Sequence, residues 1–174
     1  MAFEAMASEG TSSIDAAKEE QREAQKEESF QVQIQGKIYK ITLGRAAGKE
    51  VAFLVTENGK QVQKVSDLGS QFAFFEVNGQ KVRQVVHDFT GDGIPEFALR
   101  TTQPPLIGSL WVFRWNGRKF EAIRGPRGDG YYAIPLESPV KFTENKNLSF
   151  RLGKSENSLI WEKQKFTLKK SNSP

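Results

Sequence analysis

The 174-residue chain has no cysteine and a single histidine. Disulfides, thiolate metal centres, cysteine nucleophiles and multi-histidine sites are therefore excluded. No run approaches the roughly 18 apolar residues that a membrane-spanning helix requires. The opening MAFEAMASEG lacks the basic start and apolar core of a signal peptide. Such a chain is expected either to be cytoplasmic or to have lost a targeting segment. The lone His87 has no nucleophile motif around it and reads as a plain strand residue rather than a general base.

Charge is unevenly divided. Residues 1–29 hold eight acids and three bases, a net of −5, whereas residues 30–174 hold thirteen acids and twenty-two bases, a net of +9. The basic body favours an acidic macromolecular partner. Its Lys and Arg are spread without a dense tract or a nucleic-acid module, so nucleic acid is not the expected partner. Residues 13–29, SIDAAKEEQREAQKEES, contain helix formers and i,i+3 pairs such as Glu19 with Arg22. They present almost no apolar stripe, so burial cannot order them, and residues 1–29 read as a polar, partly helical tether.

From Phe30 onward the pattern changes to short β-branched and aromatic runs divided by Gly, Asn, Asp and Pro, the pattern of strands and turns. Candidate strands are QVQIQ, KIYKITL, EVAFLVT, QFAFFEV, KVRQVV, EFALRTT, SLWVFRW, KFEAI, NLSFRL and SLIWEKQKFTL. Residues 30–174 are thus expected to be one all-β domain. Asn-Gly at 58–59, 78–79 and 116–117 suits the positive φ angles of tight hairpin turns. Aligned on these turns, Val62, Val82 and Phe120 coincide, as do Val65, Val85 and Ile123, which suggests a degenerate repeated hairpin. Alternation in LWVFRW divides its side chains between two faces, of which one need be buried.

Chemistry is concentrated in HDFTGDGIPEFALR, residues 87–100. A hard cation such as Ca²⁺ takes about six to eight oxygens at roughly 2.3–2.6 Å, and a short loop delivers them when alternate residues point inward around glycines. Asp88, Thr90 and Asp92 stand at positions 1, 3 and 5, Gly93 at position 6, and the Ile94 carbonyl at position 7 adds a further oxygen. An EF-hand would place Glu at position 12 on a helix; here that position is Leu99 in a strand-like run, so Glu96 at position 9 must close the site. Three carboxylates within nine residues repel one another unless a cation or basic neighbours compensate. The bland reading is a turn capped by Asx-type hydrogen bonds.

The stretch VVxDFTGDGIPEFAL, followed after a short loop by GSLWVFRWNGRKFE, resembles one blade of the FG-GAP or VCBS type of β-propeller repeat. The resemblance covers about residues 82–123. It implies Ca²⁺ bound between strands of a blade by Asp88, Asp92 and Glu96; Thr90 stands where that family more often has Asp or Asn. A closed propeller needs at least about four blades of four strands, more than the 145 residues from Phe30 can supply. The expected fold is therefore a compact vestigial propeller of two or three sheets, or a β-sandwich, built of antiparallel hairpins. The resemblance further implies a bacterial periplasmic or secreted protein, and residues 1–29 are compatible with a spacer from a membrane anchor outside this chain.

The resulting expectation is a non-enzymatic, calcium-stabilised protein that binds a protein or cell-envelope component, in its sharpest form an inhibitor of a cell-wall hydrolase. An exposed anchor for the partner is expected at Tyr131, Tyr132 and Arg127 in GPRGDGYY, since Tyr and Arg are frequent interface anchors. The RGD tripeptide within it reads as a turn. The rival expectation is a hydrolase or carbohydrate-active enzyme that uses the loop carboxylates.

Overall fold

Alternation along Phe30–Leu43 sends Val32, Ile34, Tyr39, Ile41 and Leu43 to one face of a strand pair, and all five are buried. The computed structural model describes residues 27–46, 50–103, 107–123, 132–135, 137–143 and 145–170, and every regular element among them is a strand. The first sheet is an antiparallel meander of β1 (Glu28–Ile34), β2 (Lys37–Ala46), β3 (Glu50–Glu57) and β4 (Lys60–Val65). Next come β5 (Gln71–Ala73), β6 (Phe75–Val77), β7 (Gln80–Val82) and β8 (Gln84–His87), which divide between two further sheets.

The middle sheet is built on β9 (Glu96–Gln103) and β10 (Ile107–Trp115), which pair antiparallel. On its far side β9 carries first β8 and then β5, while β10 carries β11 (Phe120–Ala122) and β12 (Tyr132–Pro135). The third sheet is a meander of β13 (Val140–Phe142), β14 (Leu148–Leu152), β15 (Ser155–Glu162) and β16 (Lys165–Lys170). It is extended by β6, parallel to β13, and by β7. The described residues are all-β, in open antiparallel sheets that do not close into a barrel; β6 with β13 is the parallel exception among them.

Two cores result. Phe97, Leu99, Trp111 and Phe113 on one face of the middle sheet meet Ile41, Leu43, Phe53 and Val55 of the first. Ala98, Leu110 and Val112 on the other face meet Val140, Leu148, Phe150 and Leu159 of the third. Phe97 is the aromatic hub of the first core, with ring centroids 5.4 Å from Phe30, 5.3 Å from Phe53, 5.1 Å from Phe113 and 5.1 Å from Phe120. The first and middle sheets are also joined at their edges. Gln63 imitates a peptide group, its Nε2 donating to the Phe120 carbonyl (2.7 Å) and its Oε1 accepting from the Phe120 amide (2.9 Å).

Several expectations are corrected. Burying one face of LWVFRW is not enough: Gly108 to Phe113 are all buried, because β10 lies in a sheet covered on both sides. QFAFFEV is not one strand but breaks at Phe74, where the chain leaves the middle sheet for the third; Phe72 thereby enters the first core and Phe75 the second. KVRQVV breaks at Arg83 on the return. The repeated hairpin is also less regular than its turns suggest, since the three Asn-Gly tips belong to three different sheets. Val62 falls where the β3–β4 register shifts and is exposed, while its counterpart Phe120 is buried. Asn58 and Asn78 do take φ near +50° ahead of their glycines. Asn116 instead uses its side-chain oxygen to accept from the amides of Arg118 and Lys119.

The partly helical tether expected over 1–29 lies outside the described residues up to position 26, and β1 begins at Glu28, ahead of Phe30. No helix among the described residues is long and apolar enough to cross a membrane. Phe97→Ala removes the ring on which four others converge and should lower the unfolding free energy by about 3–5 kcal/mol, measured by chemical denaturation.

Candidate metal centre in the loop before β9

Glu96 opens β9, the strand that enters between the two cores, and it is 0 % exposed. By alternation it shares the face of Ala98, toward the third sheet. A buried carboxylate must be met by hydrogen-bond donors, and the preceding loop folds back to supply them. The amides of Phe89 (2.8 Å) and Thr90 (3.2 Å) donate to Oε2, and the Thr90 hydroxyl donates to Oε1 (3.0 Å). Asp88 organises the other half of the turn, its Oδ1 accepting from the amides of Gly91 (2.7 Å) and Asp92 (3.2 Å) and its Oδ2 from that of Gly93 (2.8 Å). Gly91 and Gly93 adopt φ of +74° and +83°, the left-handed region that glycine enters without steric cost.

Asp92 accepts from the Ile94 amide through Oδ1 (2.8 Å) and from Arg114 Nη2 through Oδ2 (2.6 Å). Arg114 follows Phe113, the partner of Phe97 in the ladder, and so stands beside Glu96 on the neighbouring strand, its Nε 3.9 Å from Glu96 Oε1. The guanidinium also lies 5.8 Å from the ring centre of Trp161 in the third sheet. Burial pushes the Glu96 carboxyl up; hydrogen bonds from Thr90 and Phe89 only partly oppose this, and the Asp92 charge adds to the rise. Partial burial would raise Asp92 too, but the Ile94 amide, Arg114 and Thr90 outweigh it and hold that carboxyl below its ordinary value.

The donor set fits a hard divalent cation. One oxygen from each of Asp88, Asp92 and Glu96 lies within 4.8 Å of the others, and two oxygens on opposite sides of Ca²⁺ are separated by up to about 5 Å. With all groups ionised, three carboxylates and one guanidinium leave two negative charges, which one divalent ion balances. The structure thus brings together the three acids expected from the sequence. Thr90 contributes a hydroxyl already bonded to Glu96, and Ile94 enters the network through its amide. Arg114 lies outside the acidic motif of the sequence. Its signal was the hairpin register, which puts residue 114 opposite 96 once 113 pairs with 97. No family model, curated protein or solved structure matches the chain.

Asp92 and Arg114 also line an open cleft of about 490 Å³, together with Trp115, Asn116 and Glu121. His87 is a packing residue at the end of β8, its ring 5.2 Å from Phe89 and 5.5 Å from Phe142. The expected exposed anchor is corrected at Tyr132, which is 5 % exposed. It pairs with Leu110 as β12 joins β10, and its ring packs 6.2 Å from that of Phe166. Arg127 and Tyr131 lie outside the described residues.

These ionisations set a pH dependence. Because the folded Glu96 holds its proton above the ordinary value of 4.5, its contribution to stability is full below that value and is lost as pH rises through the raised one. Asp92 acts oppositely, contributing above its ordinary value of 3.8 and losing that contribution on acidification. In chelator, melting temperature should therefore decline as pH rises above 4.5 and through the raised value, and Glu96→Gln should flatten that decline in a pH series of thermal melts.

Proposed function

We propose that this is a non-enzymatic protein of the bacterial cell envelope that binds another macromolecule, with Ca²⁺ in the loop of residues 88–96 stabilising its scaffold. The observation that carries the calcium reading is the convergence of Asp88, Asp92 and Glu96 on one point, within 4.8 Å. Asp88, Asp92 and Glu96 would hold the ion through carboxylate oxygens, with Thr90 and the Ile94 carbonyl completing the set. When bound, the ion supplies electrostatic cross-linking of the turn onto β9 and no chemistry on a substrate. The same convergence weighs against the rival enzyme. A glycosidase places its two carboxylates about 5–9.5 Å apart across an open cleft, whereas Glu96 is buried and hydrogen-bonded within its own loop.

Export is supported by the resemblance of residues 82–123 to FG-GAP and VCBS repeats, and a macromolecular partner by the net +9 of residues 30–174. An acidic surface on a cell-wall hydrolase is the complement such a body suits, since complementary charge speeds and orients encounter.

Isothermal titration with Ca²⁺ should show one ion per chain. At a hundredfold excess over Kd the melting temperature should rise by roughly 5–10 °C, and Glu96→Gln should abolish both effects. Neither heat nor thermal gain at millimolar Ca²⁺ would remove the calcium reading. In a peptidoglycan lysis assay the protein should show no turnover of its own and should slow a lysozyme-type hydrolase stoichiometrically. Intrinsic lysis that disappears in folded Glu96→Gln would establish the enzyme instead.

A further inference from the structure

We infer that Arg114 is the loop's resident counter-cation, competing with a divalent ion for Asp92 and Glu96 and so setting how tightly that ion is held. Three observations carry this. Arg114 Nη2 is 2.6 Å from Asp92 Oδ2, and Nε is 3.9 Å from Glu96 Oε1, so one guanidinium serves two of the three converging acids. The residue comes from β10 rather than from the loop, so its position is fixed by the sheet register and does not depend on the loop being folded. Its guanidinium carbon lies over the ring of Trp161 of the third sheet, 5.8 Å from the ring centre, a second anchor for the same side chain.

A side chain placed this way does two opposite things. Without metal it screens the mutual repulsion of Asp92 and Glu96 and keeps the turn folded. In the presence of metal it repels the incoming ion and holds an oxygen the ion would otherwise take. The inference concerns the affinity of the site proposed above and rests on that reading.

The test compares the wild-type protein with Arg114→Met, which keeps an unbranched apolar stem and removes the charge, and Arg114→Lys, which restores a charge without the planar fork. Arg114 is 41 % exposed at its side chain, so neither substitution opens a cavity in a core. In chelator, Arg114→Met should melt about 2–4 °C below wild type. By Ca²⁺ calorimetry it should bind at least about tenfold more tightly, the factor corresponding to repulsion between a guanidinium and a divalent ion at roughly 5 Å in water. Arg114→Lys should bind Ca²⁺ as weakly as wild type, and saturating Ca²⁺ should close the thermal gap of Arg114→Met.

If wild type binds Ca²⁺ and Arg114→Met binds it equally or more weakly, Arg114 positions Asp92 for the ion and the competition is overturned while the calcium reading stands. If Arg114→Met binds and wild type does not, the competition is supported and the calcium reading fails for the native chain. If neither binds at millimolar Ca²⁺, both fall. Unchanged melting of Arg114→Met in chelator would overturn the screening role by itself.

Discussion

β9 enters the protein between two cores, so the carboxylate at its first residue has no route to water. The ionised side chain of Glu96 must then be satisfied by the chain itself, and the donors come from the turn just before it: two amides and the Thr90 hydroxyl. Once residues 89 and 90 are held in this way, Asp88 is placed to gather the amides of Gly91, Asp92 and Gly93, and Asp92 is brought to Arg114. The acidic cluster is thus a consequence of double-sided burial of the middle sheet. A charge is drawn into the protein, and the loop is shaped around it.

This ordering explains why so many backbone amides face the acids. In a turn that merely tolerated its carboxylates, the side chains would point to solvent, where like charges are screened. Here the amides and Arg114 already offset part of the repulsion, and a divalent ion adds to a preformed arrangement instead of creating one. Preformed donors reduce the ordering cost of binding, while the resident guanidinium opposes it. Affinity is the balance of the two, and it is set by residues from two strands and the loop between them.

The local chemistry of the sequence was the easier part to read. Alternation in KIYKITL and EVAFLVT identified strands, Asn58-Gly59 and Asn78-Gly79 identified tight turns, and Asp88, Asp92 and Glu96 were recognised as one cluster from spacing and glycines alone. What escaped depends on which sheet a strand joins. Nothing in QFAFFEV marks Phe74 as the residue where the chain changes sheets, because apolar residues on both sides of the break are buried, only in different cores. Two further turns with positive φ, at Gln35-Gly36 and Lys163-Gln164, carry no Asn-Gly signal and are imposed by the pairing of the strands they join. Arg114 looked like one polar residue in an aromatic strand, and Tyr132 looked like a surface aromatic. Pairing across β10 decided both, placing Arg114 beside Glu96 and Tyr132 in the second core.

The buried Glu96 carboxylate, not a bound ion, folds the turn onto β9. Amide hydrogen exchange of the metal-free protein reads this out at Thr90, whose amide donates to Glu96, whereas the Phe89 amide also donates to the His87 carbonyl. The Thr90 amide should be protected in excess chelator and should lose that protection in Glu96→Ala with the sheets intact. Exchange at the rate of an unstructured peptide in chelator, with protection appearing only on addition of Ca²⁺, would contradict it.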